Sequence, residues 1–394
     1  MKEFKQATAI LQLLKENGYE AYFVGGSVRD LLLGRSLGDI DIATSAMPAD
    51  VMNLFPHHIP VGLVHGTVIV LESGIPYEVT TFRVEEGYDD FRHPKEVKFV
   101  RSLQEDLKRR DFTMNAIAMT EDGVLIDPYG GQKAIAEKRI VTVGNPHERF
   151  REDALRIMRG ARFVSTLGFT LQEETKQAMI ENMEHLSHIA IERIAVEFEK
   201  LLLGEFVTMA IPILIEVNMQ RYLPGLEDKR EKLACLTTYD WSKIDYDVEA
   251  WTLVLFTLEI ENEINMLKNW KLPGKKMKRI HTMLIYLRTR MEKQWDEVML
   301  YHAGEEIARM VEKLFRILSP QASFQDISSM LRALPIHNRA ELAISGHDLL
   351  TWSKQQAGPW VANILDEVEK AVINKDITNT KDDIKEWLIS CKLL

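Results

Sequence analysis

The sequence is poor in the residues that cross-link a chain or embed it. It has two cysteines in 394 residues, Cys235 and Cys391, far apart and outside any CxxC pair. Neither a disulfide framework nor a thiolate metal knuckle can be built from them, which fits a reducing compartment. Long apolar runs are missing too. The longest clear one, residues 210–217, falls far short of the roughly 20 residues a membrane helix needs. Residues 1–18 mix charges with apolar side chains at helical spacing and hold no signal-peptide core. A cytoplasmic protein that contacts no membrane is expected. Basic charge is in deficit as well: 49 Lys and Arg stand against 59 Asp and Glu, a net −10. That excludes nucleic-acid affinity as a bulk property but not as a local patch, because binding responds to the local field.

What is present is enough for a large core. Hydrophobic residues make up 46% of the chain, and about 150 residues per domain predicts two or three domains. The first 140 residues read as mixed α/β. Residues 21–24 (AYFV) predict a strand, then Gly25-Gly26, then a helix over 28–33. Residues 39–42 (DIDI) alternate polar and apolar, as a half-buried strand does. Residues 66–72 and 76–82 predict a hairpin turning at Ser73-Gly74, and the polar stretch 85–95 predicts a mobile loop. Beyond about residue 145 the period turns helical: 149–165, 172–203, 206–218, 248–260, 276–293, 303–318 and 361–373.

Chemistry concentrates in the first part. Period two puts the Asp39 and Asp41 carboxylates on one strand face, with Ile40 and Ile42 on the other. Two adjacent carboxylates repel unless a hard cation neutralises them, and Mg²⁺ takes one or two carboxylates plus substrate phosphates. A DxD alone is more often a solvated strand end. Here a strand, a glycine pair and a helix start precede it, an arrangement that cradles anions, and Arg29 in the first turn can fork onto phosphate oxygens. Glu78, flanked by Tyr77 and Val79, is the better third carboxylate; Glu72 is placed facing solvent. On the 149–165 helix, Ala154, Ile157, Met158, Ala161 and Val164 share one face. Asp153, Arg156, Arg159 and Arg162 take the other half, each about 60° from the last. A solvated charged face is the ordinary reading. The alternative has chemical content. Cytosine and adenine both present an amino donor beside a ring-nitrogen acceptor, and an acceptor-only Asp153 with a donor-only Arg156 matches that pair and opposes uracil and guanine.

GGSVRD, GDIDIATSA, YEVTTFR, RRDFTMNAIAM and EDALRIMRGARF follow one another in this order. They resemble the class II tRNA nucleotidyltransferases, the CCA-adding family, to which bacterial poly(A) polymerases are related. The resemblance extends to LPGL (223–226), KLP (271–273) and AGPW (357–360). It implies an α+β protein: a nucleotidyltransferase α/β head over 1–140, a helical neck over 141–205 with the base-recognition helix, a helical body over 206–310 and a tRNA-binding helical tail over 311–394. It implies that C, C and A are added to tRNA 3′ ends from CTP and ATP, with two Mg²⁺ ions on Asp39 and Asp41. It also implies that Gly26, Arg29, Arg110, Arg159 and Arg162 contact the nucleotide and that Asp153 and Arg156 act as a protein template. The 85–95 stretch fits the family's flexible loop, although His93 stands where a second arginine is expected. Expected partners are tRNA, through acceptor end and elbow, with CTP and ATP; a homodimer is left open.

Other signals carry less. The isolated His347-Asp348 pair reads as a helix-start cap, and His57-His58 as loop. Lys268, Lys271, Lys275, Lys276, Lys278 and Arg279 are a candidate tRNA-phosphate patch. The rivals are a poly(A) polymerase, a CC- or A-only enzyme of the same fold, and an RNA-binding protein with a decayed site.

Overall fold

A computed structural model describes residues 4–88 and 94–394. The chain divides into two compact units: residues 1–241 with 266–272, and residues 242–265 with 273–394.

The first unit is built on a seven-stranded mixed sheet, in the order β3-β4-β5-β2-β1-β8-β9. Its strands are β1 (Ala21–Val24), β2 (Asp41–Thr44), β3 (His58–Pro60), β4 (Thr67–Glu72), β5 (Ile75–Thr81), β8 (Ala118–Met119) and β9 (Leu125–Ile126). Between β5 and β8 an antiparallel ribbon, β6 (Arg83–Tyr88) with β7 (Pro94–Phe99), forms its own two-stranded sheet. β2 pairs parallel with β5 and antiparallel with β1. The apolar alternation works as expected: Ile42 and Val79 are fully buried, while the acids beside them in sequence face outward. Helix α1 (Lys5–Glu16) closes the core with Ala7, Ile10, Leu11 and Leu14. Helix α2 (Gly26–Leu32) follows β1 directly, and α3 (Pro48–Leu54), α4 (Leu103–Lys108) and α5 (Gly131–Ala136) complete the head. Then come α6 (Pro146–Glu152), α7 (Leu155–Leu167), α8 (Glu173–Glu181), α9 (Ile191–Leu202) and α10 (Val207–Glu216). One strand pair intrudes among the helices: Thr170–Leu171 lies parallel to Arg139–Ile140.

The second unit is helical. Helices Asp247–Thr257, Gly274–Glu292 and Glu297–Leu318 pack on one another. The last is broken at Gly304, whose φ of 72° and ψ of 164° suit only glycine. A separate cluster of Leu349, Val368, Val372, Ile384 and Leu388 gathers the C-terminal helices. His347-Asp348 does lie at a helix start: Asp348 and Ser345 form a capping box there.

The α+β expectation holds, and several local readings change. The 149–165 segment is two helices, because Asp153 leaves the helix at φ −140°, ψ 104° and its carboxylate accepts from the Leu155 N–H at 3.1 Å. Asp competes for backbone donors at helix starts, and here that outweighs the apolar period that runs through it. The 172–203 segment is α8, a 3-10 turn over Met183–His188, and α9. Of the 85–95 stretch, residues 85–88 lie in β6 and 94–95 in β7; Asp89, Asp90, Phe91, Arg92 and His93, on which the rest of the loop expectation falls, lie outside the described residues. Asp39 precedes β2 instead of lying within it.

Candidate active site

The open end of β1 and β2 meets α7 and α9 around a cavity of about 770 Å³. Eight arginines line it: Arg29, Arg83, Arg109, Arg110, Arg156, Arg159, Arg162 and Arg193. Among the described residues only four carboxylates do so: Asp41, Glu85, Asp111 and Asp153. A chain of net charge −10 therefore gathers positive charge at this one place.

The acidic edge comes from the sheet. Asp41 begins β2 and is in parallel register with Glu78 on β5. Burial, then the charge of Glu78, pushes the Asp41 carboxyl up to about 6; Arg110 pulls the other way and Asp39 adds to the rise. The structure thus brings Glu78 beside Asp41, while Glu72 sits at the far end of β5's hairpin, opposite Ile75. Asp39 and Glu78 are exposed and lie outside the cavity lining. Among the described residues no three His, Cys, Asp or Glu side chains gather closely enough to hold a metal ion.

The turn after β1 is tight. Gly25 has φ of 73°, and a Cβ there would stand 3.1 Å from the Arg110 guanidinium and 3.4 Å from the Asp41 carboxylate. Gly26 has room for one, its nearest neighbour being Arg29 at 3.6 Å. The steric demand of the pair falls on Gly25, not on the Gly26 singled out from the sequence.

The arginines are held from behind. Asp106, 1% exposed, accepts from Arg109 at 2.8 Å and from Arg110 at 3.1 Å. Burial opposes its charge, yet these two cations hold its carboxyl below the usual range. Arg110 Nε is buried without a hydrogen-bond partner. Glu85 on the ribbon pairs with Arg83 at 2.9 Å and Arg109 at 3.5 Å. A second chain of contacts runs from head to helices. Arg29 donates to Asn115 at 2.6 Å, Asn115 to Asp111 at 3.0 Å, and Arg159 to Asp111 at 2.7 Å. Glu197 of α9 then pairs with Arg159 at 3.8 Å and Arg162 at 2.5 Å. Burial opposes the Asp111 charge, but Arg159, the Asn115 amide and the Phe112 N–H hold it far below the usual carboxylate range.

Asp153 and Arg156 both face the cavity, but they do not pair. Asp153 is held by Arg193 at 2.9 Å. Arg156, 8% exposed, donates to Glu152 at 2.6 Å and to the Arg109 carbonyl at 2.8 Å. Of the residues singled out from sequence, Asp41, Gly26, Arg29, Arg110, Asp153, Arg156, Arg159 and Arg162 converge on one cavity. Arg193, Glu197, Asn115 and Phe163 were not singled out. Arg193 and Glu197 stand at i,i+4 spacing on an amphipathic helix, a pattern that reads as solvated surface; Glu197 is in fact 5% exposed. Of the basic run, Lys271 pairs with Glu192, Lys276 with Asp247 and Arg279 with Glu306.

Family models match along the chain. One described as the poly A polymerase head domain covers residues 21–141. One described as "Probable RNA and SrmB- binding site of polymerase A" covers 168–230, and one for tRNA nucleotidyltransferase domain 2 covers 242–388. The chain is 52% identical to a CCA-adding enzyme of Bacillus mycoides (strain KBAB4) over 398 aligned residues, all of both chains. It superposes with a TM-score of 0.93 on the crystal structure of the Bacillus stearothermophilus CCA-adding enzyme in complex with CTP. There the identity is 45%, over 100% of this chain and 98% of that one. A Thermotoga maritima CCA-adding enzyme complexed with tRNA matches at TM-score 0.63 and 20% identity, over 99% and 96%, and speaks to the fold alone.

Proposed function

The chain belongs to the CCA-adding enzyme family, and from that premise we propose how its cavity carries out template-independent addition of C, C and A to tRNA 3′ ends. CTP and ATP are the substrates, the tRNA 3′-hydroxyl attacks the α-phosphate, and pyrophosphate leaves. The observation that carries the reading is the wall of eight arginines set against Asp41 in an otherwise acidic protein. A triphosphate is the ligand such a wall neutralises.

Mg²⁺ fits the acidic edge. Asp41 stays protonated up to about 6 because burial and the Glu78 charge outweigh the pull of Arg110. Asp39 and Asp41 would hold the two ions, which when bound neutralise phosphate charge and activate the attacking hydroxyl. Two carboxylates without a third gathered ligand suit a cation that completes its shell with substrate phosphates. Glu78 serves as the third acid: in register with Asp41, its charge raises the Asp41 carboxyl and adds to the negative field that a bound cation would neutralise. Gly25 and Gly26 let the backbone approach the phosphates, and Arg29, Arg110, Arg159 and Arg162 grip them. Arg110 brings a buried Nε still lacking an acceptor.

Asp153 accepts from the exocyclic amine while Arg193 fixes its orientation, and Arg156 donates to the ring nitrogen. A base with the reversed pattern leaves a charged group unpaired, which costs about 1.5–3 kcal/mol per lost bond. The neck, body and tail over 141–205, 206–310 and 311–394 support the tRNA. The test uses purified protein, tRNA lacking its 3′ CCA and each labelled NTP singly and together. CTP alone should give two additions, and ATP one more only after them. A run of A from ATP, or a stop after CC, would overturn the reading.

A further inference from the structure

The cavity poses an electrostatic problem of its own. Arg29 reaches it from the head, Arg159 and Arg162 from α7, and the three like charges converge on one ring. The guanidinium carbons lie 5.3, 5.4 and 3.9 Å from the centroid of Phe163. Phe163 is 3% exposed, stands edge-on to Phe112 at 5.6 Å and lines the cavity. The anions at hand are Asp30 for Arg29, Asp111 for Arg159, and Glu197 shared between Arg159 and Arg162. Burial holds Arg162 below its ordinary range despite Glu197. Three cations and three carboxylates, one of them shared, do not arrange themselves. Without ligand, guanidinium groups on flexible stems spread apart or collapse onto their counter-charges. A buried aromatic face offers each a favourable electrostatic seat that adds no negative charge to compete with an incoming phosphate.

We propose that Phe163 is a positioning residue that holds Arg29, Arg159 and Arg162 in the triphosphate-binding arrangement through its ring face. The proposal rests on the assignment of those three arginines to the triphosphate. A phenyl ring carries no hydrogen-bonding group to read a base edge, so it acts on nucleotide affinity alike for CTP and ATP and leaves base choice to Asp153 and Arg156. Because Arg29 belongs to the head and the other two to α7, the ring also ties the grip of one element to that of the other.

Ring electrostatics can be separated from ring volume by placing 4-fluoro-, 3,5-difluoro- and 3,4,5-trifluorophenylalanine at position 163, beside Phe163→Leu. Steady-state kcat and KM are measured for CTP with tRNA lacking CCA and for ATP with tRNA ending in CC. KM for both nucleotides should climb with fluorine number, reaching about five- to thirty-fold in the trifluoro enzyme. Saturated kcat should stay within about twofold, since the ring's interaction is the same in ground and transition states. The rejection of UTP and GTP should not change. A KM that is flat across the fluorine series, even if Phe163→Leu is crippled, would show a space-filling ring and overturn the proposal. So would a rise confined to one nucleotide. Arg159→Gln and Arg162→Gln separate the two levels. If they leave KM unaltered, the triphosphate assignment fails; if they raise it while the fluorine series stays flat, only the role of Phe163 does.

Discussion

Each unit contains an arginine packed on a phenylalanine and paired with a glutamate, and the two put it to opposite use. In the second unit Arg290 lies 3.6 Å from the Phe315 centroid and 2.8 Å from Glu312. In the first, Arg162 lies 3.9 Å from Phe163 and 2.5 Å from Glu197. Arg290 and Glu312 are 4% and 3% exposed; Glu312 also accepts from the Trp295 indole at 3.1 Å and from the Gln325 N–H at 3.1 Å. There the charge is consumed by its surroundings. Arg162 shares its glutamate with Arg159 and opens on a cavity rich in cations. Residue type and contact geometry are nearly the same. What separates a structural arginine from a ligand-binding one is whether local anions use up its charge.

The largest test of that contrast is Asp41→Ala, which should cut incorporation of both C and A by on the order of a thousandfold or more with tRNA binding largely intact. Retention of a tenth of wild-type turnover would remove Asp41 from the reaction centre. Glu78→Gln should follow in the same direction and Glu72→Gln should be close to neutral; the opposite ranking would misplace the third acid. In the second unit Glu312→Ala strands a buried cation and should lower unfolding free energy by about 3–5 kcal/mol, leaving the rate per folded molecule unchanged. Denaturant unfolding with active-site titration reads both quantities.

Smaller, but specific, are the changes at the base-reading pair. Asp153→Ala or Arg156→Ala should weaken the preference for C and A over U and G by about ten- to a hundred-fold, seen in kcat/KM for all four NTPs. One common slowing factor would assign this wall to phosphate or tRNA alone. The subtlest test is one of pH. Burial and Glu78 raise the Asp41 carboxyl to about 6, so the folded state binds its proton more readily than the unfolded chain does. Keeping Asp41 ionised therefore costs stability above about pH 6, and the cost fades as pH falls through 6 toward the ordinary carboxylate range. Asp41→Asn should raise the melting temperature of the metal-free protein at pH 7.5 by a few degrees, and the gain should shrink to about a third near pH 4.5 and vanish below the ordinary carboxylate value of 3.8. A gain that is as large at pH 4.5 as at pH 7.5 would give it another origin.

Much of this site could be read along the chain, because its chemistry sits in short motifs. Asp41 of the DxD, the glycine pair and the arginines of EDALRIMRGARF are local, and the sheet and α7 bring them to one cavity. What escaped reading is long-range. Arg193 meets Asp153 from forty residues away, and Glu197 looks solvated until α7 covers it. The break at Asp153 escaped for a different reason. Ala154, Ile157 and Met158 keep the helical period across it, so pattern and capping preference disagree, and only the carboxylate's bond to the Leu155 N–H shows which prevails. Gly25 and Gly26 are alike in sequence, and the Arg110 guanidinium behind one of them decides which must be glycine.

The register of Asp41 with Glu78 has a consequence in time as well as in space. These acids meet across a parallel strand pair, 37 positions apart from residue 41 to residue 78, with α3 and two other strands threaded between them. Non-local parallel pairing forms slowly, since the loop must close before its contacts compensate the lost entropy. A slip of β5 by one residue would turn Glu78 into the core. During refolding, helical signal should therefore return ahead of enzymatic activity, and the lag between them clocks the docking of β5 onto β2.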